Sequence, residues 1–333
     1  MTSRRVVATV TVMFALLILV AIISVTVGSE RIGFQAIIKI IAAKVTGQSI
    51  DIAPEQQVII ADIRLPRVLM AIVVGAALSV AGAAYQALLR NPLADPYVLG
   101  VSTGAAVGAI AAILFAESIS VGRPLAAFLG AALAIATVML LGQSRRHAPT
   151  ERLILAGIIT NTFLSSVVIF LMTSASGLRL QSVFSWLIGD LGSNAQLLPV
   201  VSVFILAGIA IIYFNSRSLN LMMTGEEEAL ALGVEVRRVK AMVYIASSLI
   251  TGAAVSVSGV IGFVGLVIPH AVRLASSSDN RLVVPASALA GGTFLLIADT
   301  IARTVIAPRE LHVGVVTAFV GAPVFIYLLR RAS

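Results

Sequence analysis

The chain has 333 residues, of which 59% are hydrophobic and 11% are charged, and its mean hydropathy is +1.05. Soluble globular domains carry about 25% charged residues, so this composition excludes an ordinary soluble protein and indicates a membrane protein. The net charge of +8 comes from basic residues scattered near the ends of apolar segments, which favours membrane topology over nucleic-acid binding. The chain has no cysteine, which excludes disulfides and thiolate metal sites.

Apolar runs long enough to cross a membrane recur along the whole chain. They cover residues 6–27, 68–89, 97–115, 124–142, 152–173, 197–214, 241–261, 282–300 and 313–329. The first run follows a basic start but is too long for a cleaved signal sequence, so we interpret it as a retained helix. A shorter run, residues 262–276, contains Pro269 and is expected to be broken or tilted.

The basic residues at the helix ends decide how many runs cross. Ten crossings place most of the 23 lysines and arginines on the inner side, whereas nine would move Arg330 and Arg331 outside. We therefore predict an all-α polytopic membrane protein with one domain over residues 1–333, ten transmembrane helices and both termini cytoplasmic. Residues 28–67 form a predicted outer segment, in which residues 32–45 have the pattern of an amphipathic surface helix.

Segment 215–240 is the most charged part of the chain and is predicted to lie outside the membrane, on the inner side. It contains three consecutive glutamates, and a charged side chain in hydrocarbon costs at least about 2.5 kcal/mol. Thr224 and Glu227 have the spacing of a capping box, and Gly233 stands where a helix would end. The pattern predicts a short, well-defined helix between two membrane segments.

An internal repeat is indicated by glycines and prolines at a constant offset of 177 residues. The matching positions are Gly75 with Gly252, Gly82 with Gly259, and Pro92 with Pro269. Five helices separate the copies, so the pattern predicts an inverted repeat of helices 2–5 and 7–10, an arrangement common in transporters.

Residues 100–104 match the G-x-S-x-G pattern of serine hydrolases, with Ser102 as the candidate nucleophile. The possible bases, His147, His270 and His312, are dispersed over the predicted topology. The favoured alternative is helix packing, because Gly100, Gly104 and Gly108 form a small-residue face.

Two segments rich in glycine or proline interrupt the membrane helices. Residues 91–96 contain Pro92 and Pro96 and predict a turn at the inner mouth of a pathway, or a plain interhelical loop. Residues 259–270 join two membrane segments with almost no polar connector, so their backbone must be buried in protein or line a cavity. His270 is interpreted as a hydrogen-bonded structural group rather than a zinc ligand.

Basic residues also cluster at the outer ends of helices. Arg64 and Arg67 precede the second predicted helix, and Asp299 and Arg303 have the i, i+4 spacing of an ion pair. These residues are either ordinary interfacial side chains or a landing site for an acidic partner.

No P-loop pattern occurs in the chain, and the predicted membrane centres contain no Asp, Glu or Lys. A transporter with this sequence therefore needs an energy source other than its own ATP hydrolysis. An ion-gradient-driven secondary carrier is the alternative.

The motifs together resemble the FecCD-like permease family, the transmembrane subunits of ABC importers for iron chelates, haem and vitamin B12. The resemblance runs from about residue 60 to residue 329. It is carried by RLPR at 64–67, NPLADP at 91–96, LGVSTGA at 99–105, LILAG at 153–157, WLIGDL at 186–191, LNLMMTGEEEALALGV at 219–234, GVIGFVGLVIPHAVR at 259–273 and GAPVFIYLL at 321–329.

The resemblance implies a homodimer with the pathway at its axis, two cytoplasmic ATPase subunits that hold ATP and Mg, and an external binding protein. No cofactor or metal is then bound by the permease itself, which is not an enzyme. The implied cargo is a metal chelate, most often a ferric siderophore, otherwise haem or cobalamin, carried across the inner membrane.

The resemblance also implies roles for individual residues. The ATPase-coupling residues are Gly225, Glu226, Glu227, Ala229, Leu232 and Gly233. The inner gate is formed by Asn91, Pro92, Leu93, Thr150 and Glu151. The binding protein docks on Arg64, Arg67 and Arg303. The structural turn contains Gly259, Gly262, Gly265, Pro269 and His270.

Overall fold

The computed structural model describes residues 3–28, 30, 32–46, 52–115, 122–142 and 150–332, and the regular elements within them are helical. In chain order the helices are α1 (Ser3–Thr26), α2 (Phe34–Thr46), α3 (Pro54–Val58), α4 (Leu65–Leu88), α5 (Val101–Phe115), α6 (Gly122–Gly142), α7 (Thr150–Thr173), α8 (Gly177–Ile188), α9 (Leu198–Phe214), α10 (Ser216–Thr224), α11 (Glu226–Ala231), α12 (Val236–Ser258), α13 (Val264–Ala275), α14 (Asn280–Thr304) and α15 (Val313–Ala332). A π-helical turn, Ile59–Arg64, joins α3 to α4, and short 3-10 turns precede α5 and α9.

Each predicted apolar run coincides with a helix, namely α1, α4, α5, α6, α7, α9, α12, α13, α14 and α15. Within the described residues, 7 helical segments are long and apolar enough to cross a membrane, while α5, α13 and α15 are shorter. The prediction of an all-α polytopic membrane protein is confirmed. The total of ten crossings stays a prediction.

The centre of the fold consists of α4, α12 and α14. In the most apolar stretches of α4 and α12, 78% of the residues are buried, against 17% for α7 and 6% for α1. α4 packs on α14, α12 and α13, whereas α1 lies outside them along α14. Because the outer helices expose leucine and phenylalanine side chains to lipid, their apolar faces cannot be distinguished from buried faces by hydropathy alone.

Glycine is required where α4 meets α14 and α13. A Cβ at Gly75 would collide with the carbonyl oxygen of Gly291, and a Cβ at Gly291 would collide with that of Gly75. A Cβ at Gly82 would likewise collide with the carbonyl oxygen of Gly265. These contacts bring helix backbones together, as small residues do in membrane helix pairs.

Of the two predicted alternatives for the segment with Pro269, the break is wrong, because α13 is continuous through it, and the tilt stays a prediction. Proline has no N–H to offer the carbonyl four residues earlier, which is that of Gly265. That oxygen lies instead against Gly82. The irregular backbone comes earlier, between the end of α12 at Ser258 and the start of α13, where Phe263 has a φ of 69°.

The predicted amphipathic helix in the outer segment is present as α2, which packs against the π-helical turn. Ile37 and Ile40 are buried, so part of its apolar face contacts the protein rather than a membrane surface. Lys44 pairs with Asp62 at 2.9 Å and ties the end of α2 to the start of the long helical segment.

The internal repeat stays a prediction. Its matched positions differ in local structure, because Gly82 lies inside α4 whereas Gly259 follows the last residue of α12 with a φ of 67°. Pro92 lies in a turn, and Pro269 lies inside α13.

Candidate coupling, gating and docking sites

The glutamate-rich helix α11 begins one residue later than predicted. α10 runs through Thr224, whose hydroxyl donates to the carbonyl oxygen of Leu221 at 2.7 Å, so the predicted capping box is wrong. The reason is tertiary, because α10 buries Leu219 and Met222 and stays helical to its end. Gly225 takes the cap position of α11, and the carboxylate of Glu228, the third helical residue, lies against it.

The predicted stop of α11 at Gly233 is confirmed. Gly233 has a φ of 83°, and its N–H donates to the carbonyl oxygen of Leu230 at 2.9 Å. The N–H of Val234 donates to the carbonyl oxygen of Ala229, also at 2.9 Å. This pair of bonds is the Schellman motif, which needs a residue that accepts the left-handed conformation.

α11 has one anchored face and one exposed face. Ala229 is completely buried, and Glu226 pairs with Lys240 of α12 at 2.6 Å. The other side of α11 and its C-cap residue are exposed, and their larger side chains form what we call the coupling surface: Glu227, Glu228, Leu230 and Leu232. Leu230 is 56% exposed and Leu232 is 66% exposed, although α11 lies outside every segment that could cross a membrane.

The segment between α12 and α13 follows an irregular path that Tyr97 supports at Ile261. The hydroxyl of Tyr97 donates to the carbonyl oxygen of Ile261 at 2.9 Å and accepts from its N–H at 3.2 Å. A Cβ at Gly259 would collide with the carbonyl oxygen of Trp186, so the backbone approach predicted there is present. Gly262 differs, because no atom lies within 4 Å of a Cβ built on it.

The turn predicted at residues 91–96 is present and links to this irregular segment. Asn91 accepts a hydrogen bond from the N–H of Leu93 at 2.9 Å, and Asp95 accepts one from the N–H of Tyr97 at 2.7 Å. Asn91, Pro92 and Leu93 are exposed. Tyr97, which sequence reasoning missed, therefore connects the predicted gate to the irregular backbone before α13.

The remaining gate residues, Thr150 and Glu151, are the first two residues of α7, and their side chains lie outside the described part of the structure. His147 also lies outside the described residues.

His270 is buried on α13, where its ring meets Phe325 edge to face with centroids 6.4 Å apart. Its Nε2 atom has no hydrogen-bond partner among the described residues. The described residues contain no group of three histidine or acidic side chains that could hold a metal ion.

Ser102 is buried near the start of α5. A Cβ at Gly108 would collide with the carbonyl oxygen of Ala126, and one at Gly104 would lie 2.5 Å from that of Gly130. This is the close packing of α5 on α6 that the small-residue face predicts.

Arg64 is 5% exposed and its guanidinium is occupied inside the protein. It donates to the carbonyl oxygens of Val25 at 3.1 Å and Glu30 at 2.5 Å. It therefore fixes the end of α1 against the long helical segment.

Arg67 and Arg303 share the buried carboxylate of Asp299. Arg67 Nε donates to one oxygen at 2.9 Å and Arg303 Nε to the other at 3.0 Å, which confirms the predicted pair of Asp299 with Arg303. Arg67 also pairs with Glu310 at 2.7 Å. Local sequence spacing contained no signal for the two contacts of Arg67, because they join residues 232 and 243 positions apart.

Two recesses lie along α8 and the start of α15. One, of about 360 Å³, has polar walls that include Arg123, Asp190 and His312. The other, of about 640 Å³, is lined by apolar residues and two glycines between Leu187 and Phe319. Gly262, the glycine with open space around its Cβ position, lines this second recess.

Comparison with known proteins identifies the class of this chain. The cobalamin import system permease protein BtuC of Halobacterium salinarum is 44% identical over 275 residues, 82% of this chain and 74% of the relative. The hemin transport system permease protein HmuU of Yersinia pestis is 43% identical over 276 residues, 81% of this chain and 82% of the relative.

A solved structure described as an inward-facing metal-chelate type ABC transporter has a TM-score of 0.83 at 30% identity, and the match covers 98% of this chain and 99% of that chain. The sequence pattern of the FecCD transport family matches residues 16–331. The chain therefore belongs to the FecCD transport family.

Proposed function

We propose that the chain is the membrane-spanning subunit of an ATP-driven importer that admits a bulky metal chelate to the cytoplasm. Two copies form the pathway, two ATPase subunits bind on the cytoplasmic side, and an external binding protein delivers the cargo. The chain lies in the cytoplasmic membrane with both termini in the cytoplasm, and ATP hydrolysis takes place on the partner subunits.

The coupling surface of α11 is the observation that carries this proposal. Two exposed leucines beside two exposed glutamates, on a helix anchored by Ala229 and outside the membrane spans, have the character of a protein-binding surface. The chain has no P-loop motif for ATP hydrolysis, and this surface offers an ATPase subunit a defined site.

The cargo class is proposed from the relatives and from the recesses. The two relatives are named for cobalamin and hemin, and the solved structure for a metal chelate. Haem and cobalamin are both bulky metal chelates. The adjoining polar and apolar recesses beside α8 suit such a molecule. A ferric siderophore is our first candidate, followed by haem and cobalamin.

We propose that the binding protein docks on the group Arg64, Arg67 and Arg303, and in particular on Arg67. Its side chain is 12% exposed, and its partner Glu310 is 52% exposed, whereas Arg64 and Arg303 are buried. An acidic side chain of the binding protein replaces Glu310 on Arg67. Asn91, Pro92 and Leu93, with Thr150 and Glu151, form the proposed inner gate.

Reconstitution tests the function directly. The chain is incorporated into proteoliposomes with its ATPase and binding protein, and uptake of a labelled ferric siderophore, haem and cobalamin is measured. We expect one cargo to accumulate only with Mg-ATP and the binding protein. Accumulation driven by a proton or sodium gradient without ATP would instead identify a secondary carrier.

A charge reversal tests the coupling surface. Glu227→Lys with Glu228→Lys should reduce copurification of the ATPase and uptake together. We choose these residues because Glu226 is already paired with Lys240 inside the chain. Glu55→Lys is the matched control, an equally exposed glutamate in the predicted outer segment. Equal ATPase recovery from both variants would contradict the assignment of the surface.

A further inference from the structure

Resting on the proposed function, we infer that Asn220 and Asn280 form the joint through which movement of the ATPase enters the membrane helices. Asn220 lies on α10, one residue before the last turn that leads into α11. Asn280 is the first residue of α14. Both are positioning residues: they carry a displacement and touch neither ATP nor cargo.

The joint is a closed set of hydrogen bonds. The side-chain oxygen of Asn220 accepts from the backbone N–H and the side-chain amide of Asn280, both at 2.8 Å. The amide of Asn220 donates to Asp279 at 2.7 Å. The side-chain oxygen of Asn280 accepts from Arg273 at 3.0 Å. The two amides therefore use both their donor and their acceptor atoms.

The charge of Asp279 stabilises this arrangement. Hydrogen bonds from Arg281 hold the pKa of Asp279 well below its usual value, although partial burial opposes the shift. The carboxylate therefore stays ionised at neutral pH, where it accepts from Asn220 and caps α14 through the N–H of Arg281 at 3.0 Å.

Burial makes the joint stiff. Asn280 is completely buried, so separating it from Asn220 leaves a buried N–H and a buried amide without partners, which costs more than breaking an exposed hydrogen bond. Glu226 and Lys240 form a second polar tie between this region and α12, with the glutamate side chain 34% exposed. Water reaches that ion pair more readily than it reaches the buried Asn280, so the ion pair is the weaker of the two polar ties.

The joint continues into the centre of the fold. Arg273 of α13 donates to Asn280 and also to the carbonyl oxygen of Ala83 in α4, both at 3.0 Å. α4 in turn is fixed to α14 by the backbone contact of Gly75 with Gly291. A push on α10 is therefore passed through Asn280 to α14 and, through Arg273, to α13 and α4.

α14 also reaches the opposite side of the protein. Its 25 residues span about 37 Å at 1.5 Å per residue. Near its far end Asp299 and Arg303 take part in the ion-pair network with Arg67. α14 thus has the joint at one end and the proposed docking site of the binding protein at the other. This allows the cytoplasmic and the outer side of the protein to move together as one rigid body.

The transport stoichiometry of Asn220→Ala tests the inference. ATP hydrolysis and cargo uptake are measured in the same proteoliposomes. We expect the variant to retain ATPase binding and hydrolysis, while uptake per ATP hydrolysed falls by at least about fivefold, the lower range of site-to-site coupling. A merely structural defect would lower both rates together with the melting temperature.

Asn161→Ala is the matched control. Asn161 of α7 also accepts an interhelical side-chain hydrogen bond, from Thr103 of α5, far from α10 in the chain. We expect its ratio of uptake to hydrolysis to equal that of the wild type. An unchanged ratio in Asn220→Ala would overturn the joint, whereas failure of the wild type to bind any ATPase would overturn the proposed function instead.

A covalent cross-link between the two positions tests the joint independently of the Asn220→Ala variant. The chain has no cysteine, so the double variant Asn220→Cys with Asn280→Cys carries a unique thiol pair. Its reduced form should be uncoupled, and a short bifunctional thiol cross-linker should restore the ratio of uptake to hydrolysis. If cross-linking leaves the reduced form's ratio unchanged or lowers it, the two residues do not move as one body.

Discussion

The exposed leucines of α11 allow the affinity for the ATPase to be related to the structure. Leu230 and Leu232 are 56% and 66% exposed, and no membrane-spanning segment contains them. We predict that Leu230→Ala with Leu232→Ala weakens ATPase binding strongly while the permease keeps its fold. Ala229, which is buried beneath them, keeps α11 in place in the variant.

The expected magnitude follows from the area that docking covers. Each Leu→Ala change removes three carbons, worth about 2.4 kcal/mol when they are fully transferred from water. Scaled by the present exposures of 56% and 66%, the two changes are worth about 1.3 and about 1.6 kcal/mol. Together they give about 3 kcal/mol, or a dissociation constant raised about 100-fold.

The assay is binding of the purified ATPase to the permease held in lipid nanodiscs. Leu206→Ala is the control, since Leu206 is 64% exposed but lies within the span of α9, outside the coupling surface. The control should bind the ATPase as the wild type does. A change of less than about threefold in the double variant would refute the reasoning, because it would mean that docking leaves both side chains in water.

Three further predictions concern stability and are checked by thermal unfolding of the purified protein. Gly291→Ala should destabilise it by about 1–3 kcal/mol, because the new methyl meets the backbone of Gly75, whereas Gly262→Ala, with open space around it, should have no such effect. Asp299→Asn should cost about 3–5 kcal/mol, since it leaves the buried Arg303 without its counter-charge and removes one of the two carboxylates that hold Arg67; an unchanged melting temperature would show that the network is not stabilising. Tyr97→Phe should cost about 1–3 kcal/mol by leaving a backbone N–H and C=O unpaired, and a melting temperature equal to that of the wild type would mean that water replaces the hydroxyl.

Local rules of the chain were sufficient for the helices and for some of their ends. A membrane requires about 20 consecutive apolar residues per helix, so the runs could be located from composition alone. The end of α11 could be predicted because it depends on the left-handed backbone conformation of one residue, Gly233. The pair of Asp299 with Arg303 could be predicted because one helical turn brings the two side chains together. The family motifs extended this prediction to the class of the protein.

Contacts between distant parts of the chain decided the rest. The predicted cap at Thr224 was wrong because burial of Leu219 and Met222 extends α10, and no local pattern reports which face of α10 is covered. The continuity of α13 at Pro269 likewise depends on its packing against α4.

The polar side chains show most clearly the difference between what local sequence rules predict and what contacts between distant residues decide. From its charge alone, Arg67 could equally have been an interfacial side chain or a docking site, and it proved to be held by Asp299 and Glu310. The sequence did not predict the contact between Asn220 and Asn280, because the hydrogen-bond partners of amide side chains do not recur at a fixed spacing along the chain. Hydropathy and helical spacing determine which residues enter the membrane, while the partner of each buried polar group is set by helix packing, which brings together residues far apart in the chain.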